Sequence, residues 1–584
     1  MLNKNTKQLP DADSQTVLCD SFAEFFTQKV AKIRKELDEM PIDKSYTKDS
    51  SSTINIKAFD EFKCVSTDDI MKIILSTPNK SCSLDTIPMW LLRDNIDCLI
   101  RPLTIIVNHS FKTGVFPSRL REAVVSPIIK KATLDKNILK NYRPVSNISY
   151  LSKIMEKLAC AQINDHLNKN DLFENFQSAY RKRHSTETAL LKVKTDIMKA
   201  MDNNKAVAVV MLDLSAAFDT VDHQILSRRL SETFNISGTV LNWITSYLHD
   251  RSFRVCIGDS SSAKHSLNFG LPQGSVVGPL FFSMYTFHIG HIIRKHNISY
   301  HMYADDIQLY LEFNPKVYSE ITNALGRLSS CIKEIKAWMT ANKLKLNNDK
   351  SEFFVAASAY NVHMVKNIHL HIGNEIIQQS AKIRNLGVMF DQTLSMTDHV
   401  KGIIKTVNFF LRCIYRIRRY ITKESCNHLA RSLILSRLDY ANGLMLGISA
   451  KDRKQLQKLQ NRAARIVFKA ERLHPSAPLL TSLHWLPIEQ RIQFKVLLIV
   501  YKGVNKLAPP YLINFLVPYL PGRQNLRSSK DTLLLNIPRT IRKYGDNSFH
   551  AAAPRLWNSI PFSIRNCGSV HVFKKLLKTY LFPS

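Results

Sequence analysis

The sequence predicts an α+β fold, with an antiparallel sheet among amphipathic helices, and three observations support this prediction. Residues 206–212, AVAVVML, form an unbroken apolar run of strand length, typical of a buried central strand. Residues 298–313 contain two runs rich in β-branched and aromatic side chains that meet at Asp305 and Asp306, a pattern that predicts a β-hairpin. Helical periodicity flanks these strands, first in SFAEFFTQKVAKIRKELDEM near the amino terminus.

The elements before the apolar strand are predicted from periodicity and from helix-breaking residues. A polar stretch, DKSYTKDSSSTIN, follows the first helix and is typical of a linker. The segment from CSLDTIP to SRLREA is helical in pattern, with Pro88 near a helix start and Gly114 near a helix end. VVSPIIKK then predicts a strand that leads into the turn KATLDKN.

Three aspartates stand at the ends of the predicted strands. Asp213 follows the apolar strand, and the next residues, LSAAFDTVDHQIL, are predicted to be helical, so a helix N-cap is one interpretation of Asp213. Two solvated turn residues are the corresponding interpretation of Asp305 and Asp306, although turn chemistry alone favours Asn-Gly or Asp-Gly. Carboxylates from a strand end and a hairpin tip can instead converge on two hard divalent cations, as in phosphoryl and nucleotidyl transfer.

Several sequence blocks carry a family resemblance. LDLSAAFD, GLPQGSVVGPLFF and YADD, in that order and spacing, resemble the reverse transcriptases of LINE-type (non-LTR) retrotransposons. Further matching blocks are VVSPIIKK, NYRPVSNISYLSKIMEK, FQSAYRKRHSTETAL, NKLKLNNDKSEF and IRNLGVMFD, which together cover about residues 110–390. The tail, with LHWLPIEQRIQFKVLLIVYKGVN and APRLWNSIPFSIRNCGSVHVFKKLLKTYLF, is similar to the carboxyl-terminal part of animal elements of the chicken-repeat and jockey kind.

The resemblance implies a right-hand polymerase with fingers, a palm built on an antiparallel sheet, and a helical thumb. An upstream endonuclease, which the resembling elements carry, is not recognised in this sequence, so the chain resembles a partial element protein, or one whose nicking activity lies elsewhere. The predicted divisions are an N-terminal helix and linker (1–65), an N-terminal extension and fingers (66–205), a palm (206–390), a thumb (391–475) and a basic, mostly helical C-terminal region (476–584).

The same resemblance assigns the catalytic centre. Asp213, Asp305 and Asp306 are the expected catalytic residues and metal ligands, with the main-chain carbonyl of Leu214 as a further ligand. The implied cofactor is a pair of Mg²⁺ ions, with Mn²⁺ as an alternative.

Substrate contacts are expected around this centre. Phe218 matches the family's steric-gate position, where a ring excludes a ribose 2′-hydroxyl; from its position alone, a core role at a helix start is equally compatible. Residues 270–275, GLPQGS, are predicted to form a loop that opens a helix, with Gly274 allowing close approach and Gln273 hydrogen-bonding substrate or primer. Lys130, Lys131 and Arg143 are candidates to neutralise the triphosphate, with a solvated basic loop as the alternative for the two lysines. By resemblance, Lys350 would supply a proton to the leaving pyrophosphate, with a plain surface lysine as the alternative.

Charge agrees with a polyanionic partner. The 584 residues include 81 Lys and Arg against 48 Asp and Glu, a net charge of +33, and residues 391–584 hold 32 basic and 9 acidic residues. A helix at about 452–470 is expected to pack through apolar residues on one face. Its other face would contact nucleic-acid phosphates through Lys454, Lys458, Arg462, Arg465 and Lys469, with a merely solvated face as the alternative.

A second basic cluster, Arg412, Arg416, Arg418 and Arg419, stands among aromatic residues and is interpreted in the same way. The sequence has neither the apolar core of a signal peptide nor a stretch approaching the roughly twenty apolar residues of a spanning helix, and its ten cysteines form no CxxC pair. An intracellular protein of nucleus and cytoplasm, with no membrane partner, is expected.

Three functions are compatible with these patterns. The first is an RNA-directed DNA polymerase that extends a DNA 3′-hydroxyl on an RNA template by target-primed reverse transcription, with dNTPs as substrates. The second is a catalytically inactive, nucleic-acid-binding remnant of such an element. The third is an RNA-templated RNA polymerase, which Phe218 disfavours because a ribonucleotide polymerase needs room for the 2′-hydroxyl.

Overall fold

The computed structural model describes residues 9–11, 14–41, 56–80, 82–373, 375–520 and 533–582. The predicted linker DKSYTKDSSSTIN lies outside the described residues. By compactness the chain divides into two units, each assembled from three segments. Unit 1 comprises Met1–Gln177, Asp213–Lys295 and Cys331–Asp349, and unit 2 comprises Ser178–Leu212, His296–Ser330 and Lys350–Ser584.

Eleven helices precede residue 345 in the described chain. They are α1 (Gln15–Asp38), α2 (Thr67–Ser76), α3 (Met89–Asp94), α4 (Ile96–Thr113), α5 (Tyr150–Lys169), α6 (Thr186–Asp202), α7 (His223–Glu232), α8 (Gly238–Leu248), α9 (Gly278–Tyr285), α10 (Ile289–Lys295) and α11 (Tyr318–Ala341).

Eleven more helices follow in the described part of the carboxyl-terminal half. They are α12 (Thr397–Ile417), α13 (Lys423–Ala430), α14 (Ser436–Asp439), α15 (Ala450–Phe468), α16 (Ser476–Ser482), α17 (Ile488–Val504), α18 (Pro510–Ile513), α19 (Lys543–Asn547), α20 (Phe549–Ser559), α21 (Phe562–Arg565) and α22 (Val570–Leu581).

The strands fall into two five-stranded sheets and two hairpins. They are β1 (Glu122–Ile129), β2 (Tyr142–Asn147), β3 (Ala206–Ser215), β4 (Ser252–Ile257), β5 (Ser260–Ser261), β6 (His265–Ser266), β7 (Ser299–Tyr303), β8 (Asp306–Phe313), β9 (Lys345–Ala356), β10 (Leu370–Ile372), β11 (Glu375–Ile377), β12 (Gln379–Ser380), β13 (Lys382–Asn385) and β14 (Val388–Asp391).

The sheet of unit 1 has the order β2-β1-β4-β5, with β6 also paired to β4. β1 runs antiparallel to β2 and parallel to β4. Helix α1 covers this sheet, because its apolar stripe of Leu18, Cys19, Phe22 and Phe26 is buried in one cluster with Val125 and other residues of β1, β2 and β4. The amphipathic helix predicted near the amino terminus is thus confirmed, and it packs on the strand predicted from VVSPIIKK.

The second five-stranded sheet has the order β12-β9-β3-β8-β7, and its β12–β9, β3–β8 and β8–β7 ladders lie in unit 2. β3 is central and almost fully buried from Ala206 to Val210, as the unbroken apolar run predicts. β3 runs antiparallel to β8, with Ala206 opposite Phe313 and Leu212 opposite Ile307. β7 and β8 form the predicted hairpin.

Most of the other sequence-based elements are confirmed. Pro88 precedes α3, and Gly114 ends α4 in the left-handed conformation, with φ of 67°. IRNLGVMFD forms the antiparallel pair β13 and β14, and α15 lies where the basic thumb helix is predicted.

The helix predicted directly after Asp213 is wrong. β3 continues to Ser215, residues 216–219 form turns, and α7 begins only at His223. Ala216 has a φ of 51°, which breaks helical geometry. Asp222 is the actual N-cap, since its carboxylate accepts hydrogen bonds from the backbone N–H groups of Gln224 and Ile225.

Among the described residues, no helix combines the length and the apolar character that crossing a membrane requires.

Candidate active site

Asp305 and Asp306 lie at the tip of the β7–β8 hairpin. Tyr303 and Asp306 form the last pair of the ladder, so Ala304 and Asp305 make the turn. Ala304 is 8 % exposed and has a φ of 57°, a left-handed conformation that non-glycine residues adopt at some cost. The turn therefore holds its two carboxylates in a tight bend at the edge of a buried sheet.

Asp213 belongs to the strand that pairs with this hairpin. Leu212 of β3 lies opposite Ile307 of β8; Asp213 is the next residue of β3, and Asp306 is the residue before Ile307 in β8. The Asp213 side chain is half-buried, and its Oδ2 accepts a hydrogen bond of 3.2 Å from Nδ2 of Asn347. An N-cap role for Asp213 is excluded, because the residue is within a strand.

Tyr180 lies close to the hairpin within unit 2. Its partial desolvation raises the pKa of the Tyr180 phenol, and the Asp305 carboxylate and Tyr303 raise it further. The phenol therefore stays protonated and can donate a hydrogen bond near Asp305.

The turn after β3 carries Phe218 and Asp219 in unit 1. The Phe218 ring stacks on Phe282 of α9, with 4.5 Å between centroids and an interplanar angle of 21°. The Phe218 carbonyl accepts a hydrogen bond of 2.8 Å from the backbone N–H of Leu271. Phe218 therefore lies in a turn and not at the helix start that the sequence predicted, and stacking defines the ring's orientation.

Gln273 is oriented by Asp219. Gln273 Nε2 donates a hydrogen bond of 2.6 Å to Asp219 Oδ1. Burial raises the pKa of Asp219, while the Lys29 cation and the bond from Gln273 act in the opposite direction. Both residues line a cavity of about 170 Å³, one wall of which is α1.

The loop of residues 270–277, here called the Gln273 loop, opens α9 as predicted. Its backbone meets β2 at Gly274, which has a φ of 126°; an added Cβ would lie 2.3 Å from the carbonyl oxygen of Ser146. The Ser146 N–H in turn donates a hydrogen bond of 2.7 Å to the Gln273 carbonyl. Only glycine satisfies both the dihedral angle and the contact at Gly274.

Glu156 of α5 anchors the other end of the Gln273 loop. The side chain is fully buried, and its Oε2 accepts hydrogen bonds from the backbone N–H groups of Val276 (2.5 Å) and Val277 (3.3 Å). Its Oε1 accepts from the Ser152 hydroxyl at 3.0 Å. Burial raises the pKa of Glu156, and the nearby Arg251 cation opposes that rise.

The metal ligands predicted from sequence fit a hard cation by chemistry. Aspartate carboxylates and a main-chain carbonyl, here that of the buried Leu214, are the oxygen donors that Mg²⁺ prefers. Across the described part of the chain, no group of three or more His, Cys, Asp or Glu side chains is gathered closely enough to hold a metal ion. The ladder register therefore aligns the strands that carry Asp213 and Asp306, but it does not by itself establish a metal centre.

Comparison with protein families gives an assignment for the stretch that contains these residues. Residues 129–390 match the family described as reverse transcriptase (RNA-dependent DNA polymerase). This stretch contains β3, the Gln273 loop and the β7–β8 hairpin. Residues 129–390 belong to the reverse transcriptase family.

Relatives of the reverse transcriptase domain come from Drosophila melanogaster transposons. A probable RNA-directed DNA polymerase from transposon BS is 26% identical over 425 residues, which are 69% of this chain and 45% of that protein. A probable RNA-directed DNA polymerase from transposon X-element is 22% identical, covering 68% and 43%. The RNA-directed DNA polymerase from mobile element jockey is 24% identical, covering 58% and 36%. The chain thus spans less than half the length of these relatives. The similarity to transposon polymerases is consistent with a LINE-type reverse transcriptase domain.

The predicted triphosphate-binding cations lie on exposed positions. Arg143 of β2 is exposed opposite Ile128 of β1, and Lys131 is exposed in the following turn. Lys130 is also exposed, and its ammonium donates a hydrogen bond of 2.7 Å to the Lys140 carbonyl. Lys350 is exposed on β9. Their roles in binding the triphosphate and pyrophosphate stay predictions.

The predicted nucleic-acid-binding residues of α15 differ in environment. Lys454, Lys458 and Arg462 are exposed at four-residue spacing, opposite the buried apolar face. Arg465 is half-buried, and its Nε donates to a main-chain carbonyl at 2.9 Å. Lys469 follows the last helical residue, with a φ of 55°. Exposure makes the first three available to a polyanion.

Arg418 is a structural residue, contrary to its interpretation as part of a phosphate-contacting cluster. It is 8 % exposed, and its guanidinium donates hydrogen bonds of 2.8 Å to the carbonyls of Ile421, Ile466 and Val467. The bonds to Ile466 and Val467 cap the end of α15. Arg412, Arg416 and Arg419 are exposed.

Sequence reasoning missed Asn347, Asp219 and Glu156. Asn347 lies in the LNNDK block, where attention went to Lys350. Asp219 directly follows Phe218, and an acidic residue beside an aromatic one in a turn carried no distinct signal. Glu156 had a signal, because it shares a helix face with Ser152 and other residues three or four positions away that are buried.

Proposed function

We propose that the chain is an RNA-directed DNA polymerase of a LINE-type retrotransposon, with the right-hand arrangement of fingers, palm and thumb. It would extend a DNA 3′-hydroxyl on an RNA template, using dNTPs, in target-primed reverse transcription. The observation that carries the proposal is the β7–β8 hairpin of unit 2, whose turn contains Asp305 and whose strand β8 pairs with β3. The reverse transcriptase match over residues 129–390 supports the same reading.

In this proposal Asp213, Asp305 and Asp306, with the Leu214 carbonyl, hold two Mg²⁺ ions. Bound there, the ions would activate the attacking hydroxyl and neutralise charge on the phosphate and the leaving pyrophosphate. Asn347 Nδ2, which donates to Asp213 Oδ2, would orient that carboxylate so that its other oxygen stays available.

The surrounding residues would select and position the nucleotide. The stacked Phe218 ring supports a gate under the sugar, because Phe282 restricts its movement. Gln273, held by Asp219 and by the glycine contact at position 274, would hydrogen-bond the substrate or primer. Lys130 and Arg143 would neutralise the triphosphate, and Lys350 would supply a proton to pyrophosphate.

A single substitution tests the proposed activity. Asp305→Asn removes one carboxylate charge without changing side-chain size, and we expect primer extension on an RNA template to fall by at least 100-fold, a loss of roughly 3 kcal/mol of transition-state stabilisation. The measurement is extension of a primed RNA with dNTPs and Mg²⁺. Asp259→Asn, at an exposed position in unit 1, is the matched control and should keep full activity.

Two results would contradict the proposal. Equal extension by wild-type protein and Asp305→Asn would show that the hairpin carboxylate is not catalytic. Absence of extension by the wild-type protein, with tight binding of RNA, would favour the inactive nucleic-acid-binding remnant.

A further inference from the structure

A groove runs along α17 within unit 2. Two cavities, of about 770 Å³ and about 510 Å³, share the lining residues Asp439, Lys495 and Leu498, so they are adjacent. The larger is bounded by α13, α17 and α22, and the smaller by α17 and residues 183–188. We call this feature the α17 groove.

The lining of the α17 groove is strongly basic. Eight Lys and Arg side chains line the two cavities, against three carboxylates. The carboxylates are partly used: Asp439 is paired with Arg491 and Glu187 with Lys495. In the described chain, no carboxylate lies within salt-bridge distance of Lys502, Lys574 or Lys578. An excess of cations in a concave surface attracts anions.

Electrostatic repulsion among these cations is visible at two lysines. Burial lowers the pKa of Lys578, and the Arg491 and Arg431 cations lower it further. Burial likewise lowers the pKa of Lys502, and the Lys574 and Lys495 cations lower it further. A bound anion would relieve both repulsions, since an opposite charge nearby favours the protonated form of a lysine.

Buried polar atoms point to a ligand independently of charge. Trp485, 3 % exposed, lines the larger cavity, and its Nε1–H has no hydrogen-bond partner among the described residues. Oδ1 of Asn442, equally buried, and Oδ1 of Asn427 line the same cavity and likewise have none. Buried donors and acceptors without a partner are costly unless a ligand binds them.

The spacing of the cations fits a chain of phosphates. Arg491, Lys495 and Lys502 lie at i, i+4 and i+11 on one stripe of α17, about 17 Å from first to last at 1.5 Å per residue. Lys574 and Lys578 add an i, i+4 pair on α22. Several successive phosphates of one nucleic-acid strand can lie along a stripe of this length, whereas one small anion would meet only part of it.

The groove also leads towards the hairpin. Its smaller cavity is lined by Tyr440, whose hydroxyl donates a hydrogen bond of 2.6 Å to the Leu386 carbonyl. Burial raises the pKa of the Tyr303 phenol in the hairpin, and the nearby Tyr440 raises it further. Each cavity has the size of a pocket for a drug-sized ligand, which suits one or two unpaired nucleotides and not the width of a duplex.

We propose that the α17 groove binds a single strand of nucleic acid through its phosphates and conducts that strand between the hairpin carrying Asp305 and the carboxyl-terminal helices. The conducting role rests on the proposed polymerase function, whereas the binding of a single-stranded polyanion can be measured without it. Lys574, Lys578, Arg491 and Lys502 contact phosphates, and Trp485 donates a hydrogen bond to the strand.

The test is direct binding by the full chain, without dNTPs or added metal. Fluorescently labelled 20-nucleotide RNA, the same sequence as DNA, and a blunt duplex are titrated at several salt concentrations. For Lys574→Ala/Lys578→Ala we expect about tenfold weaker binding of a single strand and a log–log salt slope smaller by about 1.4, or 0.7 per lost contact. RNA weakened more than DNA would identify the strand as template, and the reverse as primer or product.

A matched control removes the same charge elsewhere. Lys575, on α22 but outside the groove lining, and Lys333 are both exposed, so Lys575→Ala/Lys333→Ala should bind almost as the wild type does. Lys574→Arg/Lys578→Arg should retain binding, because it keeps the charges.

Three results would overturn the proposal. The first is equal binding of the single strand by the groove variant and the control variant, and the second is a loss of binding that affects only the duplex. The third is displacement of the single strand by inorganic triphosphate at the same phosphate concentration as the oligonucleotide. A protein that shows the expected binding but no primer extension would retain the groove and refute only the polymerase.

Discussion

At the residue scale, the packing of Phe218 makes its proposed role as a steric gate for the nucleotide sugar testable. Its ring is stacked on Phe282 and its carbonyl is bonded to the Leu271 N–H, so neither ring nor backbone is free to yield to a larger sugar. A gate of this kind works by steric exclusion, and truncation should remove it.

We expect Phe218→Ala to reduce the preference for dNTPs over rNTPs by on the order of 10- to 100-fold, because a cavity cannot strongly reject a substrate that only adds a hydroxyl. Single-nucleotide incorporation gives kcat/KM for each nucleotide. Phe218→Tyr keeps a bulky ring and should keep the preference. An unchanged ratio in Phe218→Ala would show that the ring is only part of the core.

Residue types alone did not separate functional from structural cations. Arg418 and Arg419 are adjacent and looked equivalent in sequence, yet the first caps α15 through two carbonyls and the second is exposed. The strand end and the hairpin turn that carry the three aspartates were predictable from sequence, since strand and turn patterns are local. Asn347 was not, because its bond to Asp213 joins residues 134 positions apart.

At the element scale, the Gln273 loop depends on two contacts with neighbouring elements, the close approach of Gly274 to Ser146 and the buried carboxylate of Glu156. The second contact is open to substitution without steric conflict. Its loss would leave the N–H groups of Val276 and Val277 buried without an acceptor.

We expect Glu156→Ala to lower the free energy of unfolding by about 2–4 kcal/mol, from unpaired donors and a cavity, and to raise the KM for dNTP more than it lowers kcat. Glu156→Gln can still accept from both valines and donate to the Ser152 hydroxyl, so it should lie near wild type in both measures. If Glu156→Gln is as impaired as Glu156→Ala, the charge opposite Arg251 matters and the hydrogen-bond account fails.

The error in helix position after Asp213 has a local cause. LSAAFDTVDHQIL has helical composition, but the left-handed Ala216 interrupts it and Asp222 caps the true helix start. The sequence does contain an aspartate N-cap signal, Asp222, but it lies about two helical turns after Asp213. The apolar periodicity of the segment favoured an earlier helix start. Strand 206–212 was predicted correctly because burial on both faces leaves a continuous apolar pattern, and the hairpin at 298–313 because β-branched and aromatic residues flank its turn.

At the scale of the whole molecule, compact units do not follow chain order. Each unit gathers three separate segments, and the boundary between units crosses β3 after Leu212. Periodicity and composition report local structure, whereas these assemblies come from pairings such as β3 with β8, about 100 residues apart. The contiguous divisions inferred from sequence, from 1–65 to 476–584, therefore stay predictions.

A buried histidine links the stability of unit 2 to pH. His301 of β7 is fully buried, with Nε2 2.8 Å from the Ser178 hydroxyl and its ring against Tyr511. Burial lowers the pKa of His301 to about 3, and the Lys192, His184 and Arg181 groups act in the same direction. The neutral ring is thus favoured in the folded state.

We expect folding stability to fall as the pH decreases below about 6.5, because the unfolded chain then binds a proton that folded His301 does not accept. At pH 5 this residue should account for about 2 kcal/mol, with the loss growing until the pH passes the folded pKa near 3. Urea unfolding at pH 7 and pH 5 measures the change.

His301→Gln, which does not titrate and can still bond to Ser178, should lose less stability over that interval than the wild type, whereas His371→Gln, at an exposed position, should follow the wild type. Parallel losses in the wild type and His301→Gln would assign the acid sensitivity to other groups, since a buried neutral histidine must disfavour folding whenever the solvent supplies its proton.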